Sequence, residues 1–219
     1  MIVTKDFNIL LFPKCGTHFI ASAFEKTKVE IYLHTCTEVS IGVNHLPASK
    51  LPYGANEKPT GIVVRNVWDW YVSRYFYFED CRIKGAAGFS IEHKDFIAKK
   101  WADNCGFGKS ISGFRKHLPY AIKHFGLCDS YFQFIADAPK IYFIRHEALV
   151  EDLSKFITAF SGSNASAYTK TLAAISEQKP VNVTEARPKT SDCYTGKLIE
   201  QIHQSELKYI ARFGQKYKF

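Results

Sequence analysis

Short apolar runs of strand length alternate along this chain with segments whose apolar residues recur at helical spacing. The predicted strands are residues 7–12, 29–33, 61–64 and 140–144. The predicted helices are residues 17–26, 67–80, 147–160 and 195–213, the last followed by Gly214. Because strands that alternate with helices pair in parallel, the pattern predicts an α/β fold with a central parallel sheet flanked by helices.

The absence of internal repeats and linkers from the sequence predicts a single domain over residues 1–219. Neither a repeat of fixed period nor a low-complexity linker interrupts the sequence. Residues 82–138 are aromatic and basic with weak periodicity, so we expect them to be helical and irregular. A hydrophobic content of 46% with 15% aromatic residues excludes a disordered chain.

The apolar runs are too short to cross a bilayer, and no signal-peptide core follows the first residues. We therefore expect a cytoplasmic protein without a membrane span. The six cysteines are scattered without zinc-ligand spacing, so we interpret them as reduced thiols and predict no metal site. They are Cys15, Cys36, Cys81, Cys105, Cys128 and Cys193.

The first predicted strand runs into a glycine-containing loop that opens a helix, Phe12-Pro13-Lys14-Cys15-Gly16-Thr17-His18. Such a loop points N–H groups outward at the positive end of a helix dipole, which is typical of an anion site. The loop does not match the nucleotide-triphosphatase pattern G-x-x-x-x-G-K-S/T. Cys15 lacks the following arginine that a tyrosine phosphatase needs. A plain strand-to-helix turn is the alternative.

A second segment, Arg65-Asn66-Val67-Trp68-Asp69-Trp70-Tyr71-Val72-Ser73, follows the third predicted strand. Arg65 can hold an anion with its bidentate fork, and Ser73, two turns into the helix, can donate its hydroxyl. Since parallel sheets bind ligands at their carboxyl edge, we expect this site beside the first loop. The alternative is that Arg65 pairs with a carboxylate and Ser73 is an ordinary helix residue.

Together the two segments resemble the cofactor motifs of sulfotransferases that use 3′-phosphoadenosine 5′-phosphosulfate (PAPS), closest to the cytosolic branch. The first is similar to the 5′-phosphosulfate loop P-K-S-G-T-T, with Cys15 for Ser and His18 for the second Thr. The second is similar to the 3′-phosphate segment R-D/N-P-x-D-x-x-x-S, including the eight-residue separation of Arg and Ser. The resemblance implies a P-loop-like three-layer fold, PAPS as cofactor and 3′-phosphoadenosine 5′-phosphate (PAP) as product.

Weaker resemblances extend the match to about residues 7–80 and 140–214. Residues 145–152 are similar to the R-Y-E-D-L segment, with His146 where an adenine-contacting Tyr is usual. Arg187-Pro188-Lys189 stands in for the R-K-G loop that binds the 3′-phosphate. The cofactor-binding residues that the resemblance implies are Pro13, Lys14, Cys15, Gly16, Thr17, His18, Arg65, Ser73, His146, Arg187 and Lys189.

The resemblance also implies the catalytic residues. His45, in Asn44-His45-Leu46-Pro47, is similar to the T-H-L-P histidine that removes the acceptor proton, although Val43 replaces a usual Lys. Lys14 would stabilise charge on the leaving phosphate, with a surface lysine as the alternative. A structural role for His45, His18 as a reserve base, and a carboxylate base stay open.

The resemblance therefore implies a sulfotransferase that acts on a hydroxyl or amine of a small-molecule or glycan acceptor. A formal net charge of +8 suits its polyanionic donor, and would equally suit a nucleic acid or an acidic membrane surface. The alternatives are a non-catalytic nucleotide-binding relative and a basic nucleic-acid-binding protein, although no recognised nucleic-acid motif accompanies the charge. Whether the chain forms a homodimer is left open.

Overall fold

The computed structural model describes residues 1–27, 47–83, 108–138, 140–179 and 187–215. These residues divide into two compact units. The first unit contains residues 1–27, 47–65, 131–138 and 140–179, and the second contains residues 66–83, 108–130 and 187–215. The strand predicted over residues 29–33 and the base candidate His45 lie outside the described residues.

A sheet of four strands, counted over the described residues, organises the first unit. Its strands are β1 (Ile2–Val3), β2 (Asn8–Leu10), β3 (Thr60–Val64) and β4 (Ile141–Arg145), adjacent in that order. β1 is antiparallel to β2, whereas β2, β3 and β4 are parallel, with Ile9 opposite Gly61 and Gly61 opposite Tyr142. The predicted α/β class with a mostly parallel sheet is therefore confirmed.

The strands differ from the prediction at the amino end of the chain. The strand predicted over residues 7–12 is shorter, Asn8–Leu10, because Phe12 already forms a turn in which its carbonyl accepts from the Cys15 N–H. β1 has no counterpart among the predicted strands, since two residues carry no periodic signal. A local hydrogen bond from the Phe7 N–H to Thr4 Oγ1, at 3.0 Å, shapes the turn between β1 and β2.

The helices of the described residues fall in both units. They are α1 (Thr17–Glu25), α2 (Val67–Ile83), α3 (Ile111–Phe125), α4 (Leu127–Ile135), α5 (Leu149–Phe160), α6 (Thr169–Glu177), α7 (Thr190–Cys193), α8 (Gly196–Ser205) and α9 (Leu207–Phe213). Helices predicted over residues 17–26, 67–80 and 147–160 match α1, α2 and α5 within three residues at each end, so these predictions are confirmed.

Aromatic packing holds the helices of the first unit to the start of β2. The Phe7 ring, fully buried, lies 6.4 Å from the Phe24 ring of α1, 5.3 Å from Phe156 of α5 and 5.1 Å from Tyr168. A Cβ at Gly61 would lie 3.1 Å from ring carbons of Phe156. The absence of a side chain at Gly61 therefore lets α5 approach β3 closely.

The second half of α4 belongs to the first unit and packs beside the end of β2. The rings of Tyr131 and Phe134 lie 5.0 and 5.2 Å from the Phe12 ring, both edge-on. The Tyr131 hydroxyl donates to the Val63 carbonyl at 3.4 Å. Phe12, the residue that enters the predicted phosphate loop, is thus anchored in the core.

The second unit is built around the aromatic residues of α2. Trp68, Tyr71, Tyr75 and Phe76 are among its largest fully buried side chains. The Tyr194 hydroxyl donates to the Trp68 carbonyl at 2.7 Å, which attaches the segment after α7 to this helix. Most of the aromatic residues of α2 are thus core residues.

The final helix is interrupted at Glu206, so the continuous helix predicted over residues 195–213 is wrong. Glu206 is 1% exposed, and its carboxylate accepts hydrogen bonds from the Tyr71 hydroxyl at 2.5 Å, the Leu127 N–H at 3.1 Å and the Cys128 N–H at 2.6 Å. It therefore caps the amino end of α4. Burial raises the pKa of Glu206.

Three findings concern membrane spans, thiols and metals. No described helix has both the length and the apolar content to span a membrane. Cys15, Cys128 and Cys193 are buried and carry free thiols, as the sequence predicts. In the part of the chain that the structure describes, no three His, Cys, Asp or Glu side chains cluster closely enough to hold a metal ion.

Candidate functional site

The loop that joins β2 to α1, residues 12–16, is the first predicted site segment, and we call it the Lys14 loop. Lys14 has a φ of 62°, the one positive φ outside glycine in the described ranges. The Cys15 N–H donates to the Phe12 carbonyl at 3.3 Å and closes the turn. A left-handed conformation costs a residue with a Cβ about 1–2 kcal/mol. Since such strain clusters at functional sites, it supports a ligand role for Lys14.

Gly16 ends the loop in a conformation that also favours glycine. Its φ is 73°, and a Cβ there would lie 2.8 Å from Leu149 Cδ2 and 3.7 Å from His146 Cδ2. The Lys14 loop therefore lies directly against the turn that follows β4 and carries His146.

The amino end of α1 follows the loop. Gly16 is its N-cap, and the Ile20 N–H donates to the Gly16 carbonyl at 3.1 Å as the first bond of the helix. The N–H groups of residues 17–19 therefore precede the helical ladder, and Gly16 has no side chain to accept from them. The first turn contains no acidic residue. This end of α1 has the partial positive charge and the amides that bind phosphate in other proteins.

The Arg65 guanidinium joins the first two sequence segments. Arg65 follows β3 directly and is only 7% exposed. Its Nη1 donates to the Lys14 carbonyl at 2.5 Å. Arg65 and the Lys14 loop are therefore neighbours at the carboxyl ends of β2 and β3, while the ligand role of each stays a prediction.

His18, the reserve base, lies half-buried in the first turn of α1. Its pKa is lowered from 6.5, first by burial and then by the positive charge of Lys14, against an opposing influence of Glu25. The imidazole is therefore neutral at pH 7, the form that can accept a proton.

His146 lies on the short 3₁₀ turn His146–Ala148 between β4 and α5. Asp152 of α5 holds this turn, because its two oxygens accept from Arg145 Nε and Nη2, each at 2.7 Å, and from the Arg145 backbone N–H at 3.0 Å. The same contacts lower the pKa of Asp152. Arg145 and Asp152 both lie in the segment of residues 145–152 that resembles the family, but the resemblance assigns a role to neither. The structure shows that they fix the turn against which Gly16 packs.

The second unit contains the other predicted 3′-phosphate residues. Ser73, 6% exposed, lies one helical turn after Asp69 on the same face of α2. Arg187 donates through Nη2 to Asp69 Oδ1 and, at 3.0 Å, to Thr190 Oγ1, while the Thr190 hydroxyl donates to Asp69 Oδ1 at 2.7 Å. Lys189 is exposed and is the N-cap of α7. Sequence reasoning assigned no role to Asp69 or Thr190, because the contacts of Asp69 with Arg187 and Thr190 join residues 118 and 121 positions apart.

The predicted residues are thus distributed over both units. The first unit contains Pro13, Lys14, Cys15, Gly16, Thr17, His18, Arg65 and His146, and the second contains Ser73, Arg187 and Lys189. Cys15 is fully buried, so its side chain is a core residue and only its backbone can contact a ligand. His45 lies outside the described residues.

The chain was compared with known proteins. No protein-family model matches it, and no curated protein matches its sequence at a significant level. The functional interpretation therefore depends on the motifs and on the contacts described above.

Proposed function

We propose that this chain is a PAPS-dependent sulfotransferase with a P-loop-like three-layer fold. The observation that carries the proposal is the hydrogen bond from Arg65 to the Lys14 carbonyl. It makes neighbours of two segments, 51 residues apart, that resemble cofactor motifs of the same family. Both segments lie at the carboxyl edge of the parallel sheet, where such folds bind ligands.

The donor set of the first unit fits a phosphosulfate. Lys14 provides a compact cation, and the first-turn amides of α1 provide neutral donors at a positive helix end. Arg65, the planar cation that the resemblance assigns to the 3′-phosphate, lies beside the same loop. The first turn of α1 brings no carboxylate that would repel the ligand. This chemistry suits two adjacent anionic groups better than an apolar ligand.

When bound, PAPS supplies the sulfuryl group for transfer to an acceptor hydroxyl or amine. In this proposal the Lys14 ammonium stabilises the negative charge that develops on the leaving 5′-phosphate, and the α1 amides hold its oxygens. Arg65 holds the Lys14 carbonyl and so keeps the strained loop in place. Lys14 therefore contributes both to the rate and to binding of the 5′-phosphate, whereas Arg65 contributes to nucleotide binding alone.

The acceptor proton is transferred to a general base. His45 is the proposed base on its resemblance, and the neutral imidazole of His18 is the reserve. The acceptor is proposed to be a small molecule or a glycan, with the chain acting as a monomer or a homodimer.

The experiment compares nucleotides that differ in the 3′-phosphate. In thermal unfolding, PAP should stabilise the chain more than ADP does, because only PAP carries the 3′-phosphate. The effect is large enough to measure, since a ligand at about 100 times its Kd adds roughly 2.7 kcal/mol to the free energy of unfolding. Arg65→Ala and Lys14→Ala should each reduce this stabilisation, whereas Lys123→Ala, which removes an exposed charge on α3, should not.

Two results would redirect the proposal. Equal stabilisation by PAP and ADP contradicts it and favours an ordinary phosphate-loop nucleotide protein. A clear preference for PAP without PAPS turnover on any acceptor favours the non-catalytic relative instead.

A further inference from the structure

The network around Arg187 points to a role for a residue that the sequence left without one. We propose that Asp69, assisted by Thr190, is a positioning residue that fixes the Arg187 guanidinium for a phosphate monoester bound beside Ser73. The inference rests on the proposed function, because that monoester is the 3′-phosphate of PAPS. All four residues belong to the second unit.

The geometry fixes the guanidinium in direction as well as in place. Arg187 donates to both Asp69 Oδ1 and Thr190 Oγ1 through one nitrogen, Nη2, and Thr190 in turn donates to the same Asp69 oxygen. Two contacts on one nitrogen orient the whole planar group, so its Nη1 and Nε edges point in set directions. An arginine that is ordered before binding loses less rotamer freedom when the phosphate arrives, which strengthens binding.

Residues other than Asp69 hold the backbone of this segment. Arg115 of α3 already donates from Nε to the Cys193 carbonyl at 3.0 Å and from Nη2 to the Asp192 carbonyl at 2.8 Å. Tyr194 is attached separately to the Trp68 carbonyl. The contacts of Asp69 with this segment are instead with the side chains of Arg187 and Thr190.

The charges of this cluster suit a phosphate. The Asp69 carboxylate is compensated by Arg187, so the cluster remains net positive through Lys189, two residues further along the chain. Ser73 lies one turn from Asp69 on the same helix face and offers a hydroxyl donor. Arg187 and Lys189 can both donate hydrogen bonds to a phosphate monoester, and the net charge that they and Asp69 present to it is one positive.

The test measures the Kd values of PAP and ADP by calorimetry with the full chain. Asp69→Ala and Arg187→Ala should each raise the Kd of PAP about 10-fold and leave that of ADP within about twofold. Asp69→Asn keeps an acceptor oxygen and should lose less, about threefold. Arg115→Ala is the matched control, since it releases the same segment without touching the Arg187 guanidinium, and it should leave the PAP-to-ADP ratio unchanged.

A double variant separates positioning from an independent contribution. Asp69→Ala with Arg187→Ala should bind PAP as Arg187→Ala alone does, because Asp69 acts only through Arg187. The inference is overturned by any of three results: additive losses of PAP affinity in the double variant, an equal loss of ADP affinity in the single variants, or a loss of PAP affinity of the same size in Arg115→Ala. If Asp69→Ala does not fold, Asp69→Asn and Thr190→Val are measured in its place, and a full PAP preference in both overturns the inference.

The outcome distinguishes this inference from the proposed function. A wild-type chain that binds PAP no better than ADP refutes both. A wild-type preference for PAP that survives in every Asp69 variant refutes the positioning role alone.

Discussion

Gly16→Ala tests whether the close contact between the Lys14 loop and α5 contributes to stability. The substitution has two costs, since Gly16 has a φ of 73° and the new Cβ would lie 2.8 Å from Leu149 Cδ2. The left-handed conformation costs alanine about 1–2 kcal/mol, and overpacking costs about 1–3 kcal/mol. Because the obstructing atom is the end of a half-buried side chain, we expect the low end of the second range.

The expected total is a loss of about 2–3 kcal/mol in the free energy of unfolding. In a chain of this size that lowers the melting temperature by about 4–12 °C. The assay is urea unfolding followed by circular dichroism, with PAP affinity measured in parallel. We also expect weaker PAP binding, because the relief of the contact displaces the loop that carries Lys14.

Gly54→Ala is the matched control. Gly54 has a φ of 80°, and no atom lies within 4 Å of the position that an alanine Cβ would take, so the substitution carries the conformational cost alone, about 1–2 kcal/mol. The double variant Gly16→Ala with Leu149→Ala removes the obstructing methyl and should show a favourable coupling energy. If Gly16→Ala and Gly54→Ala lose the same stability, the close approach costs nothing and the reasoning fails.

Three further substitutions test the site and its supports. His45→Ala should lower turnover by about 10²–10⁴ with PAP affinity unchanged; near-wild-type turnover would transfer the role of base to His18 or a carboxylate. Asp152→Asn should destabilise the chain at neutral pH, and the difference should vanish as the pH falls below 3.8 through the lowered native pKa, because only the ionised carboxylate favours the folded state. Urea unfolding of both proteins at a series of pH values measures this difference in stability. A difference that persists at about pH 2 would contradict the prediction. Glu206→Ala should cost about 3 kcal/mol or more, since three buried donors lose their acceptor, whereas the exposed Glu200→Ala should stay within about 0.5 kcal/mol of wild type.

Features with a local signal could be predicted from the sequence. The end of the apolar run of β3 and Gly16 after β2 mark where the two strands end. Parallel strands bring their carboxyl ends to the same edge of the sheet. This is why the neighbourhood of Lys14 and Arg65 could be expected without a structure. The same reasoning gave α1, α2 and α5 within three residues.

Features that depend on distant partners could not be predicted. Residues 195–213 contain no proline and have continuous helical periodicity, so nothing local marks the interruption at Glu206. The interruption occurs where the carboxylate reaches amides 78 and 79 residues earlier in the chain. Likewise the partner of Arg187 is Asp69, 118 residues away, which periodicity and spacing cannot identify.

Position 14 is a place where folding and the proposed anion binding favour different amino acids. Glycine or asparagine would adopt the φ of 62° at lower cost than lysine, so stability alone would select against the residue that is present. A lineage that no longer used the ammonium would gain stability by replacing it. If the proposal holds, residue 14 is a diagnostic position in related sequences: we expect lysine in relatives that bind the anion, and glycine or asparagine in relatives that do not.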